Sequence, residues 1–125
     1  AESYIPGVRT ELLLKLIGFD WRKHVDAIQQ VLTAAAYRKS MELSRQGIVV
    51  GPSSGFALAG LLDYLAKRKK DNSLDELRNG EGEIVCAFIC PDGPIPYLDE
   101  YFKYLEDSDF PEITNEHILL NKPER

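Results

Sequence analysis

Residues 47–60, GIVVGPSSGFALAG, decide how this chain is read. Ile48-Val49-Val50 is a β-branched run and favours a short buried strand. Gly51-Pro52 ends it, because Pro52 has no N–H to give to a ladder. Ser53 or Ser54 is expected to cap a helix that runs to about Lys70. Residues 56–62 of that helix are apolar all round, the pattern of a helix buried on most sides. Strand, tight turn and helix start in this order gather N–H groups and hydroxyls at one point, which suits a polar ligand. Taken alone, Ser53 reads as a helix cap, while Gly51 and Gly55 leave room for a ligand to approach the backbone.

Before this stretch, residues 34–46 form a confident helix, with Thr33 as its expected N-cap and Gly47 as its stop. Ala34, Tyr37, Met41 and Ser44 share one side of it. Residues 11–17 favour a helix that stops at Gly18, and residues 25–32 stay open between strand and helix. After it, residues 83–90 make the best strand. Their apolar run does not alternate, so both faces are expected to be covered. That strand ends in Pro91-Asp92-Gly93-Pro94. A short helix over residues 96–105 follows, with a stripe of Tyr97, Tyr101 and Tyr104 that reads as core or subunit contact. The order predicts an α/β fold: layered helices around a small buried, mostly parallel sheet. Residues 1–107 form the domain, and residues 108–125 form a polar C-terminal tail with one apolar patch at Ile118-Leu119-Leu120. Ligands in such folds gather at the carboxyl ends of strands, which here are the loops 51–55 and 91–94.

With 125 residues and a net charge of −5, one domain is expected, and nucleic acid and anionic membranes are disfavoured as partners. The run Lys67-Arg68-Lys69-Lys70 falls at a helix end, where cations suit the dipole. Cys86 and Cys90 lie in the apolar run of residues 84–90 and are expected to be buried, reduced core residues of a cytoplasmic protein. No stretch is long and apolar enough to span a membrane. The chain opens at Ala1 and enters at once on Ile5-Pro6-Gly7, as the inside of a longer polypeptide or a chain with its leader removed would.

The loop at 51–55 is not a phosphate-binding P-loop, since it lacks the Gly-Lys-Ser/Thr ending. Nor does it read as an esterase nucleophile turn, with no histidine nearby. His24 and His117 stand alone, without a second ligand at metal spacing, so no metal site is expected. Asp92 follows a predicted buried strand, a position where function is common but where Asp-Gly turn chemistry serves equally well.

Together these pieces resemble a family. Ile5-Pro6-Gly7, the helix leading into Gly47-Ile48, Gly51-Pro52-Ser53-Ser54-Gly55, the apolar run ending in Pro91-Asp92, and Tyr97-Leu98 are similar to the C-terminal portion of the cysteine synthase and cystathionine β-synthase family. Those are pyridoxal phosphate-dependent enzymes of fold type II. The resemblance implies that Ser53 hydrogen-bonds the pyridine nitrogen of pyridoxal 5'-phosphate. Gly51 and Ser54 would belong to the same loop, and Pro91 and Asp92 would lie beside the ring edge. A hydroxyl partner leaves that nitrogen largely unprotonated, which suits β-elimination and β-replacement over transamination. This chain departs from many relatives at Pro52, which removes one N–H from the loop.

The family's Schiff-base lysine lies in a Ser-x-Lys context beside a Gly-Thr-rich phosphate loop, and neither occurs here. No residue of this chain is therefore assigned a catalytic role. The resemblance implies a part of a transferase or lyase of cysteine and sulfur amino-acid metabolism, with a missing N-terminal half as partner, an amino-acid substrate in the complete enzyme, and a homodimer. Two alternatives stay open: a non-catalytic interaction or regulatory module of the same fold, and a small α/β anion-binding domain.

Overall fold

The computed structural model describes Ile5, Leu16 and residues 18–112. Among the described residues, three α-helices carry the architecture: α1 over Thr33–Arg45, α2 over Pro52–Lys70 and α3 over Leu98–Tyr104. Short 3-10 turns at Trp21–His24, Leu74–Leu77, Ile95–Tyr97 and Asp107–Asp109 complete it. The helix expected over residues 11–17 and the apolar patch at residues 118–120 lie outside the described residues, as do Pro6 and Gly7.

The expected sheet is overturned. Among the described residues there is no strand, and neither residues 48–50 nor residues 83–90 join a ladder. β-branched and apolar composition expresses a fit to a pleated, covered surface, and that fit is realised only where a neighbouring segment supplies the pairing. No described segment supplies it. Every residue of the run except the half-buried Ile84 is exposed, with Val85 at 74% and Ile89 at 78%, so the run expected to be covered on both faces is not enclosed. Cys86 and Cys90, expected in the core, are free and exposed for the same reason.

The helices follow their local signals closely. α1 ends in a Schellman arrangement: the Gly47 N–H donates to the Ser44 carbonyl at 3.0 Å, and the Ile48 N–H donates to the Leu43 carbonyl at 3.0 Å. Gly47 takes φ +90°, a conformation that costs glycine little. α2 ends in the same way, with Asn72 at φ 55° in the equivalent position. The helix starts differ from expectation. Thr33 is the first residue of α1, not its cap, and Gly51 caps α2 in place of a serine. Pro52 at the first helical position explains this shift, because its fixed φ and missing N–H suit that place.

α1 is buried through Ala36, Tyr37, Ser40 and Leu43. Its packing divides between two neighbours. Ala36 and Ser40 back onto Gly55 of α2, while Tyr37 joins Tyr101 and Leu105 in the main apolar cluster, with Ala34 and Met41 packed against it. The Tyr37 and Tyr101 rings meet edge to face at 4.9 Å, a favoured aromatic geometry. Of residues 56–62, only Ala59 is fully buried, so the apolar first half of α2 is half-covered and not enclosed. Across the predicted domain end, the Asp107–Asp109 turn is fastened to α1. Arg38 grips the Asp109 carboxylate through Nε at 2.6 Å and a second nitrogen at 3.1 Å, and Arg45 donates to the Asp109 carbonyl at 2.9 Å.

Candidate functional site at the start of helix α2

Gly51 and Pro52 are buried, Ser53 is half-buried and Ser54 is fully buried. Gly51 has extended backbone at φ −79° and ψ 177°, which turns the chain into the helix without a side-chain cap. The Ser54 N–H donates to the Gly51 carbonyl at 3.1 Å, so the tight turn closes on itself. The Ser54 hydroxyl has no hydrogen-bond partner among the described residues. Burying an unpaired hydroxyl costs about 1–3 kcal/mol, a cost proteins commonly accept where a ligand completes the pairing.

The second predicted loop packs directly on this turn. The Gly51 N–H donates to the Asp92 carbonyl at 2.9 Å. A Cβ at position 51 would lie 2.6 Å from Asp92 Oδ1, 2.9 Å from the Gly93 carbonyl oxygen and 3.3 Å from the Tyr97 ring. Only glycine allows that approach. The Tyr97 hydroxyl donates to Asp92 Oδ2, and the Tyr97 N–H donates to the Pro94 carbonyl at 2.9 Å. Pro91 precedes Asp92 in the same loop and is exposed. The structure thus brings Gly51, Ser53, Ser54 and Asp92 to one place, although the strands expected to deliver them are absent from the described residues.

Behind this junction, Ser40 and Tyr101 share a hydrogen bond of 2.7 Å, and the Ser40 hydroxyl also reaches the Tyr37 carbonyl at 2.9 Å. Burial pushes the Tyr101 phenol above its ordinary value. The Ser40 hydrogen bond opposes this, and the negative charge of Asp92 adds to it.

Tyr97, Ser40 and Tyr101 were not legible as partners of the site. Tyr97 and Tyr101 belong to an apolar stripe, and Ser40 lies within a helix, where its usual place is solvent or a carbonyl one turn back. A serine on the same helical face as Ala36 and Leu43 was the one signal available. His24 is exposed, and His117 lies outside the described residues. Among the described residues, no three of His, Cys, Asp and Glu gather within reach of a metal ion. No described helix is long and apolar enough to cross a membrane. No protein-family model matches this chain, and no curated protein matches it significantly.

Proposed function

We propose that this chain is part of a pyridoxal phosphate-dependent enzyme of the cysteine synthase type, and that the start of α2 forms the part of its site that meets the pyridine edge of the cofactor. The observation that supports this most is the Gly51 N–H to Asp92 carbonyl bond, 2.9 Å long. It joins the two loops that the family resemblance assigns to the same ring, which lie 41 residues apart in sequence. The residues present also fit the group. Gly51 has no Cβ, which lets the Asp92 loop close on the helix start, and Ser53 and Ser54 carry neutral hydroxyls in the same turn, that of Ser54 fully buried and unpaired among the described residues.

In this reading the cofactor, when bound, supplies the electron sink for chemistry at the β-carbon of an amino acid. Ser53 would offer its hydroxyl to the ring nitrogen of the bound cofactor as a neutral hydrogen-bond partner. Asp92 and Pro91 border the same edge, and Tyr97 fixes the Asp92 side chain. The lysine that attaches the cofactor and the loop that holds its phosphate come from a separate N-terminal half. None of this chain's own lysines stands in a Ser-x-Lys context. A cytoplasmic homodimer acting on serine or an activated serine belongs to the same proposal.

The coding sequence upstream tests it first: a Ser-x-Lys and a Gly-Thr-rich segment are expected there. In the complete enzyme, S53A lowers turnover and alters the cofactor's visible absorbance, and S53D drives the ring toward protonation. Unchanged turnover and spectrum in both variants refute the role of Ser53.

A second reading is a non-catalytic interaction module. The exposure of Val85, Phe88 and Ile89 favours it, because large apolar side chains grouped on one segment mark a surface that another polypeptide covers. The upstream sequence separates the two, since a module of this kind needs no lysine or phosphate loop in the same reading frame.

A further inference from the structure

We propose that residues 84–90 are a self-pairing edge, to which a second copy of this chain adds antiparallel about a two-fold axis at Ala87; this rests on the interaction-module reading above and not on the cofactor. The backbone carries the argument. Among the described residues, no N–H or carbonyl of residues 84–90 has a hydrogen-bond partner in the chain. The run lies in neither helix nor turn, and its β-branched and aromatic side chains favour strand pairing. A row of free backbone groups between apolar side chains is completed by another extended backbone. Neither lipid nor a small apolar ligand supplies those bonds.

The ends of the free row are set by the chain itself. At one end, the Asn79 N–H donates to the Glu83 carbonyl at 2.8 Å, and the Glu83 N–H donates to Asn79 Oδ1 at 2.9 Å. At the other, Pro91 has no N–H to give, and the Asp92 carbonyl accepts from the Gly51 N–H. Ala87 is the midpoint of what remains. A two-fold axis there uses the whole row, whereas any shifted register runs into Glu83 or Pro91. The axis also sets the facing residues: Val85 stands opposite Ile89 twice, a β-branched pair on one face. Charge agrees with this register. The chain carries −5, but no charge lies between Glu83 and Asp92. Glu83 then faces Pro91 and Asp92 faces Gly82, so like charges do not meet.

Analytical ultracentrifugation of the 125-residue chain over a range of concentrations tests this, with amide hydrogen exchange alongside. A reversible monomer–dimer equilibrium is expected, with the amides of residues 84–90 slowed in the dimer. V85K with I89K places lysine opposite lysine twice and is expected to weaken association at least about tenfold. Its net charge moves toward zero, so overall charge alone predicts the opposite result. V85E with I89K places glutamate opposite lysine in the same register and is expected to associate more tightly than the double-lysine variant. Both positions are exposed, so both variants are expected to keep the fold, which circular dichroism checks. A chain that stays monomeric, growth beyond a dimer, or equal association by the two variants overturns the proposal. Exchange separates this from the underlying reading. Fast exchange at residues 84–90 in a monomer sinks the second copy alone, while protected amides in a monomer also sink the exposed surface on which that reading stands.

Discussion

Replacing Gly55 by alanine probes the contact on which the helix pair depends. A Cβ at this position would overlap the Ala36 carbonyl oxygen and lie 2.5 Å from the Ser40 nitrogen and 3.0 Å from Ser40 Cβ. Two of these three atoms are backbone atoms of α1, so no rotamer change relieves the overlap. α1 and α2 must move apart by more than an ångström, which strips close contacts along both helices. Overpacking of a well-filled interior costs about 1–3 kcal/mol where side chains can give way, and a backbone clash places this case at the upper end or beyond. Alanine's better helix propensity returns about 1 kcal/mol. The net expectation is a destabilisation of about 2–3 kcal/mol, which lowers a urea midpoint by about 1–2 M for a typical m-value. G80A is the control, since nothing lies within 4 Å of a Cβ there. Urea denaturation followed by circular dichroism reads both. A midpoint for G55A equal to or above that of G80A refutes the close helix contact and the packing derived from it.

The other predictions concern polar contacts. G51A forces the two loops apart, and amide hydrogen exchange at position 51 is expected to speed up markedly; retained protection speaks against the Asp92 bond. S40A leaves the Tyr101 hydroxyl buried without its partner and is expected to cost about 1–3 kcal/mol, whereas Y101F leaves Ser40 bonded to the Tyr37 carbonyl and costs less; a double-mutant cycle with no coupling argues against the pair. Because burial raises the Tyr101 phenol, its neutral form is the one the fold favours. That contribution is full below about pH 10 and is lost as pH rises through the folded-state value, so Y101F is expected to flatten the alkaline stability loss. Asp109 behaves in the opposite sense. The Arg38 hydrogen bond, helped by the Glu106 N–H, holds its carboxyl below the ordinary 3.8. The Asp107–Asp109 clasp is thus complete above that value and released as pH falls through the lower folded one. Carboxyl carbon NMR titration of Asp109 checks this, and a midpoint at or above 3.8 counts against it.

Helix ends were the features most readable from local residues. Gly47 stops α1 because the terminal carbonyls need a left-handed residue after the helix, and that requirement is met within a few residues of chain. The same holds for the end of α2 at Lys70. Helix starts were less readable, since Ser53, Ser54 and Thr33 are all good caps in isolation. Pro52 and the extended Gly51 decide the start of α2 through backbone geometry. From local residues the candidate site was readable as two loops, and only the family resemblance placed them at one ring. Gly51 and Asp92 each carry a local reason to turn the chain, and only their contact makes them neighbours.

The residue runs by themselves determined where helices propagate and where they stop, because those energies arise between residues three to five apart. They also marked residues 48–50 and 83–90 as apolar stretches that fit a covered surface. Whether such stretches become strands depends on a partner that supplies hydrogen bonds and burial, and no local pattern contains that partner. Tertiary structure alone decided that question, leaving Val85 and Ile89 exposed. It also decided the divided packing of α1 and the seating of Asp92 against the start of α2, since both need atoms brought together from distant parts of the chain.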